Sequence, residues 1–508
     1  MRKYIISIVI LFFIILSSSC RKDFDTVVGN GDFRVEKDTL FLDSVFTNIA
    51  SHTYRVKVYN TADKDITLNS IRLENGNQSF YRLNIDGTTG KSANDVLIHA
   101  QDSIFIFVEV TADINQLTNP VYEEKLIIED NGKTDDVLLV SFVKDALFLY
   151  PERFPDGSKD SLTVYTDPNT GETSKIPGYF LPDNTTFTAD KAIVIYGNLA
   201  VPQGKTLTIE QDAHLYFHFN SSLIVWEDAT LQVNGTLGHE VIFEDDRMEP
   251  DFDNAPGMWN YIWLRENSRN NVIDYAIIKN ATVGIIAHPT DDTNPMLSIK
   301  NTQIYNHSLV GIYGVKTKIN GENLVLNNFG LSAINLQLGG SYDFKHCTFT
   351  NYGGGIRNEK SGAIYVNNYI ETQDGTVYVS DLNQFNLSNS IVYGNSSIEF
   401  FLDNINEPNV AFNYQIHHNL IRFNDPQDRF GNITEVDFTD TNHFQNIILN
   451  QNPIFEDSRE NKMRISDQSP AVNQGNSAAA LLVPLDILGN NRTNAPDLGA
   501  YQNTVFSN

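Results

Sequence analysis

Cysteine is almost missing from this chain: its 508 residues include only Cys20 and Cys347, too few for a disulfide scaffold and too far apart for zinc-ligand spacing. Basic residues are also scarce, 36 Lys and Arg against 63 Asp and Glu, for a net charge of −27. A surface of that sign repels phosphate backbones and excludes nucleic acid as an expected partner. No long apolar run follows the N-terminus, which excludes a polytopic helical membrane protein, and a hydrophobic content of 41% excludes a disordered chain. No G-x-S-x-G nucleophile motif and no Gly-rich phosphate loop is found. At about 150 residues per domain, the length allows two to four domains.

What is there begins with an address. Arg2 and Lys3 precede an apolar run over residues 5–16 that is broken only by Ser7, too short to span a bilayer and the right length for a signal-peptide core. The run ends in Leu16-Ser-Ser-Ser-Cys20. Ser18, Ser19 and Cys20 resemble a bacterial lipobox, with the leucine one place earlier than usual. The resemblance implies removal of residues 1–19 and acylation of Cys20, so that the partner is a lipid bilayer, anchored to rather than spanned.

Residues 20–38 read as a polar tether. From 39 to 146 short alternating segments such as Tyr54-Arg-Val-Lys-Val-Tyr59 and Ser103-Ile-Phe-Ile-Phe-Val-Glu-Val110 are separated by turn clusters, among them Asp130-Asn-Gly132. About seven strands without helical period predict an antiparallel β-sandwich, Ig-like in architecture only. Residues 147–185, rich in Pro, Gly, Asp and Thr, read as a linker.

The strongest signal is a repeat. Units of the form N-x-x-I-x-N start at Tyr275, Asn301, Asn323, His346, Asn367, Asn389 and Asn419, spaced 26, 22, 23, 21, 22 and 30 residues apart. A small–apolar pair follows each of the first five: Gly284-Ile285, Gly311-Ile312, Ala333-Ile334, Gly355-Ile356 and Thr376-Val377. A unit this short buries no core alone, but stacked units do, each strand pairing in parallel with its equivalent. The period predicts a parallel β-helix over 186–430 with inward Ile columns and an asparagine ladder at the turns. Residues 431–508 are expected to supply the last rungs and a polar cap. The fold class expected is therefore all-β, a sandwich followed by a solenoid.

The lipobox, the sandwich, Gly204-Lys-Thr-Leu-Thr-Ile209, the stretch from Gly257 to Leu264 and the terminal Ser469-Pro-Ala-Val-Asn-Gln-Gly475 with Pro496-Asp-Leu-Gly-Ala-Tyr501 resemble right-handed parallel β-helix lipoproteins of Bacteroidetes; the last motif is similar to the end of choice-of-anchor Q proteins. The resemblance implies a right-handed coil and the outer membrane, with the leaflet face left open. It also implies O-glycosylation at Asp-Ser/Thr-apolar triplets, with Thr39 and Ser44 as candidates.

Candidate chemistry is sparse. The acidic stretch 245–253 offers Asp251 and Asp253 as calcium ligands, against a solvated loop as the simpler reading; no cofactor and no metal site are otherwise expected. Asp245-Asp246 and Asp291-Asp292 lack the accompanying motifs of a pectin-hydrolase-like site. Trp259 and Trp263, at i and i+4 of one strand, suggest a sugar platform or packing under a loop. Cys347 and the pair His417-His418 read as core and turn residues. If Ile312, Ile334, Ile356, Val377 and Ile398 point inward, then Tyr313, Asn335, Arg357, Tyr378 and Glu399 form one outward row suited to a run of sugars. The expected function is a non-catalytic envelope rod that binds glycan or protein, including adhesion to another cell. The alternative is a polysaccharide lyase or glycoside hydrolase on the same scaffold.

Overall fold

A computed structural model describes residues 26–28, 31–289, 296–354, 361–425 and 436–506. The chain divides into two compact units, Met1–Asp145 and Ala146–Asn508. Both are built from strands.

The first unit holds two sheets around a shared core. One runs in the order Thr26–Val28, Asp65–Leu73, Val121–Asp130, Lys133–Lys144 and Thr39–Phe46, with Ser92–Ile98 also on Asp65–Leu73. The other runs Phe33–Val35, Tyr54–Asn60, Ser103–Val110, Tyr81–Ile85 and Thr88–Gly90. Alternation sends Val56, Val58, Ile104, Ile106 and Val108 from one sheet and Leu68, Ile71, Leu126, Ile128 and Leu139 from the other into one cluster. Two features depart from expectation. Thr39–Phe46 pairs in parallel with Lys133–Lys144. Thr26–Val28 and Phe33–Val35, both assigned to the tether, are strands, paired with Asp65–Thr67 and with Val58–Asn60.

In the second unit a 26-stranded sheet, mostly parallel, coils upon itself so that each strand pairs with its equivalent one turn later. The inward columns match the repeat. Ile278, Ile304, Leu326, Phe349, Val392 and Ile421 stack one above the next, as do Ile262, Ile285, Ile312, Ile334, Ile364 and Phe400, and all are fully buried. Each such side chain contributes about 1.5–3 kcal/mol on leaving water. The small residue of each pair is a packing requirement: a Cβ on Gly311 would sit 2.6 Å from the Ala333 carbonyl oxygen.

Each coil turns on left-handed residues, where asparagine is tolerated better than branched or bulky side chains. Tyr275, Asn301, Asn323, His346, Asn389 and His418 hold φ between 46° and 57°, and Asn280, Asn306 and Asn328 form a second set between 61° and 67°. The asparagines also ladder. Asn323 donates to Asn301 over 2.8 Å, and Asn328 donates to Asn306 over 2.7 Å.

The repeat misplaces two coils. Asn367 starts no coil, because Phe349 pairs directly with Val392. The extra residues form an antiparallel hairpin, Tyr369–Glu371 with Val377–Val379, that removes Ile370 and Val377 from the inward columns. The last start is His418 rather than Asn419, since Ser390 pairs with Asn419 and Val392 with Ile421.

Residues 147–185 do not link. Ala146–Leu149 pairs in parallel with Ala192–Ile195, and Gly178–Phe180 pairs with Asn198–Ala200. Leu162 of the hairpin Ser161–Thr166 and Thr173–Phe180 packs on Ala200 and Ile224. Likewise, after Phe444–Leu449 completes a rung on Phe412–Ile421, the C-terminal segment lies along the sides of the coils. Gly499 donates to Asn389 O, the Thr348 hydroxyl accepts from Ala500, and Asn327 donates to Ser458 O.

Candidate functional site

Parallel register decides which of the five row candidates meet. Tyr313 pairs with Asn335, and Asn335 pairs with Tyr365, which pairs with Phe401. Upstream the same outward column runs through Trp263 and Ile286. Two of the row residues, Tyr313 and Asn335, are therefore neighbours on adjacent coils, and both are half-buried.

The other three are not placed in that row. Tyr378 sits on the inserted hairpin, 57% exposed, opposite Ile370. Glu399 is fully buried, its carboxylate accepting from the backbone N–H groups of Ala363 at 2.8 Å and Ser396 at 2.6 Å. It satisfies a turn rather than facing solvent. Arg357 lies outside the described residues, as do Ile356, Cys20 and Asp291-Asp292. Ile398 is buried, but with Tyr365, Phe401 and Phe423 on the outer side rather than in the interior.

Two places further along each strand a second outward column carries Val315 and Gln337, then Asn367 and Asp403. Polar contacts tie the columns together. The Tyr313 hydroxyl donates to Gln337 Oε1 at 3.3 Å, and Gln337 Nε2 donates to Asn335 Oδ1 at 3.1 Å. Beyond them the Tyr365 and Tyr369 hydroxyls both donate to Asp403 Oδ2, at 2.8 and 2.9 Å. Burial raises the hydroxyl pKa of Tyr313 and Tyr365, so both stay protonated donors. Tyr365 and Phe401 are themselves covered, leaving Tyr313, Asn335 and Gln337 as the accessible stretch.

Gln337, Tyr365 and Asp403 were missed by periodicity. A signal existed: Ala363-Ile364 repeats the small–apolar pair of Ala333-Ile334, whereas Thr376-Val377, chosen for its spacing, is an insertion.

Trp259 and Trp263 do not share a face. Trp259 is fully buried, stacked on Phe217 with ring centroids 4.1 Å apart, and donates to Lys279 O. Trp263 is on the outer side, where the Arg265 guanidinium lies 5.3 Å from its ring and 4.0 Å from that of Trp226. Cys347 is an interior thiol, its pKa pushed up to about 12 by burial. His418 is a left-handed turn residue whose Nε2 meets Asn446 Nδ2 at 2.9 Å.

Asp251 and Asp253 are both exposed on the loop that carries the short 3-10 turn Pro250–Phe252. Among the described residues no group of three or more His, Cys, Asp or Glu is arranged to hold a metal ion. Thr39 and Ser44 are half-buried on the strand Thr39–Phe46, opposite Leu138 and Phe142. Among the described residues no helix is long and apolar enough to cross a membrane.

No protein family and no curated protein matches the chain. Among solved structures it is similar to a family 123 glycoside hydrolase from Clostridium perfringens, whose structure was analysed for glycolipid glycan hydrolysis. The identity is 7% and the TM-score 0.16, over 22% of this chain and 25% of that one. The match thus spans about a quarter of that enzyme and carries no functional argument.

Proposed function

We propose that the chain is a cell-envelope lipoprotein, anchored in the outer membrane through acylated Cys20, with an Ig-like first unit and a right-handed parallel β-helix as the second. The β-helix binds glycan without catalysis. The observation that carries this reading is the half-buried, solvent-accessible polar stretch of Tyr313 on one coil and Asn335 and Gln337 on the next. Strands about 4.8 Å apart repeat on the scale of a sugar chain, an aromatic face stacks on sugar C–H groups, and amides match hydroxyls in both directions. Thr39 and Ser44 are the proposed O-glycosylation sites of the first unit.

The test is a screen of the purified protein against a polysaccharide panel, reading both binding and release of reducing ends. Binding without release, weakened at least tenfold in Tyr313→Ala with Gln337→Ala and unchanged in Tyr378→Ala, is expected. Release of reducing ends would replace the non-catalytic reading with the enzymatic one. For the anchor, a clickable palmitate should label the wild type, and equal labelling of Cys20→Ala would reject acylation there.

A further inference from the structure

Across the left-handed bend at Asn306, on a different side of the coil from Tyr313, lies a third outward column. Glu244, Lys279, Tyr305 and Asn327 occupy it on successive coils. The Lys279 ammonium is held by Glu244 at 2.6 Å, and Glu244 in turn meets His214 Nε2 at 2.5 Å, so the cation is fixed in place with donors to spare.

Two separate segments wall this column in. On one side, the loop over residues 250–254 is fastened by Asn280, which donates to Phe252 O and Asp253 O, and by Asn306, which donates to Asn254 Oδ1 at 2.8 Å. On the other, Asn327 donates to Ser458 O and to Asn461 Oδ1, both at 2.8 Å, so the C-terminal segment closes the end of the column. The groove they flank is open to solvent and has a volume of about 380 Å³, at the low end of the roughly 300–1,000 Å³ typical of ligand sites.

The lining is polar and balanced in charge. Lys279, Lys462, Asp253 and Glu460 line the groove together with Gln303 and Tyr305. The side chains of Gln303, Tyr305, Glu460 and Lys462 make no hydrogen bond or ion pair among the described residues. Two carboxylates disfavour a phosphate or a uronate, and two ammonium groups disfavour a divalent cation. Donors and acceptors interleaved around a tyrosine suit a neutral polyol. Burial holds the Tyr305 hydroxyl pKa up at about 12, which keeps it a donor at any physiological pH.

We infer that this groove binds a single neutral sugar residue, the end of a glycan, separately from the Tyr313 face. The inference rests on the glycan-binding reading and adds a second subsite to it.

Saturation-transfer NMR on the full chain in detergent, with glucose, galactose, mannose and N-acetylglucosamine as probes, tests it. At least one monosaccharide should receive saturation. The signal should fall at least fivefold in Gln303→Ala with Lys462→Ala, two side chains outside the core, and persist in Tyr313→Ala. Loss in Tyr313→Ala with retention in the groove variant would overturn the groove and leave the first reading standing. Absence of transfer to all four sugars would also overturn the groove, while polymer binding in the panel would still support the sheet face.

Discussion

Arg492 and Asn323 lie 169 residues apart in the chain, yet Nη2 of the arginine donates to Oδ1 of the asparagine at 3.0 Å inside a buried contact. The same guanidinium donates to Gly499 O and Ala500 O, while Asn323 donates to Asn301 and to Leu485 O. The asparagine ladder and the C-terminal segment meet at this pair. Burial lowers the Arg492 pKa to about 10, and Asp486 and Asp497 oppose that shift, so it stays charged at neutral pH.

Arg492→Ala is expected to cost about 3–5 kcal/mol, because it leaves buried acceptors without their donor. Arg492→Lys should restore little, since an ammonium has its three donors on one atom, whereas the guanidinium reaches its acceptors from two separate nitrogens. Limited proteolysis is the check: cleavage should begin within residues 455–503 before the coils are cut. Wild-type resistance in Arg492→Ala would show that the segment is held by its apolar contacts instead.

Ile304→Asp and Ile312→Asp should each lower stability by roughly 4 kcal/mol or more, placing a charge without a partner in the closed interior. Circular dichroism melting reads the loss. A melt within a few degrees of wild type would mean that these columns do not face inward.

Asn328 holds φ at 66° and donates to Asn306. Asn328→Ala loses the hydrogen bond and adds left-handed strain of about 1–2 kcal/mol, whereas Asn328→Gly loses only the bond. Alanine should therefore melt lower than glycine. The reverse order would remove backbone strain as the reason for asparagine in the ladder.

Asp245 is buried beneath the groove loop and accepts from Asn280 Nδ2 at 2.9 Å; desolvation raises its pKa from 3.8 to about 6. A carboxyl with a raised folded-state pKa binds its proton more tightly when folded. Its contribution to stability is fully present below pH 4 and is lost as pH rises through about 6. Asp245→Asn should flatten that part of the stability profile, measured by urea unfolding between those pH values. A carboxyl resonance titrating near 4 in the folded protein would contradict the assignment.

The inward Ile columns were legible because a closed interior repeats its demand at every coil, so Ile278, Ile304 and Leu326 recur with their turn asparagines. Outward positions carry no such demand. Tyr313 and Asn335 pair across adjacent coils because the coils before them are regular, and Glu399 falls out of that column because the hairpin at 369–379 breaks the count just upstream.

By itself, then, the sequence determined the all-β class, the stacking period, the interior face of the regular coils and the asparagine ladder at the turns, all properties of residues near one another in the chain. Tertiary structure alone decided what is not local. It seated the presumed linker on Ala200 and Ile224, laid the C-terminal segment along the coils through Arg492 and Asn323, and separated Trp259 from Trp263. Each of these depends on surfaces that exist only once the coils have stacked, and nothing in local spacing encodes which exposed strip a distant segment will cover.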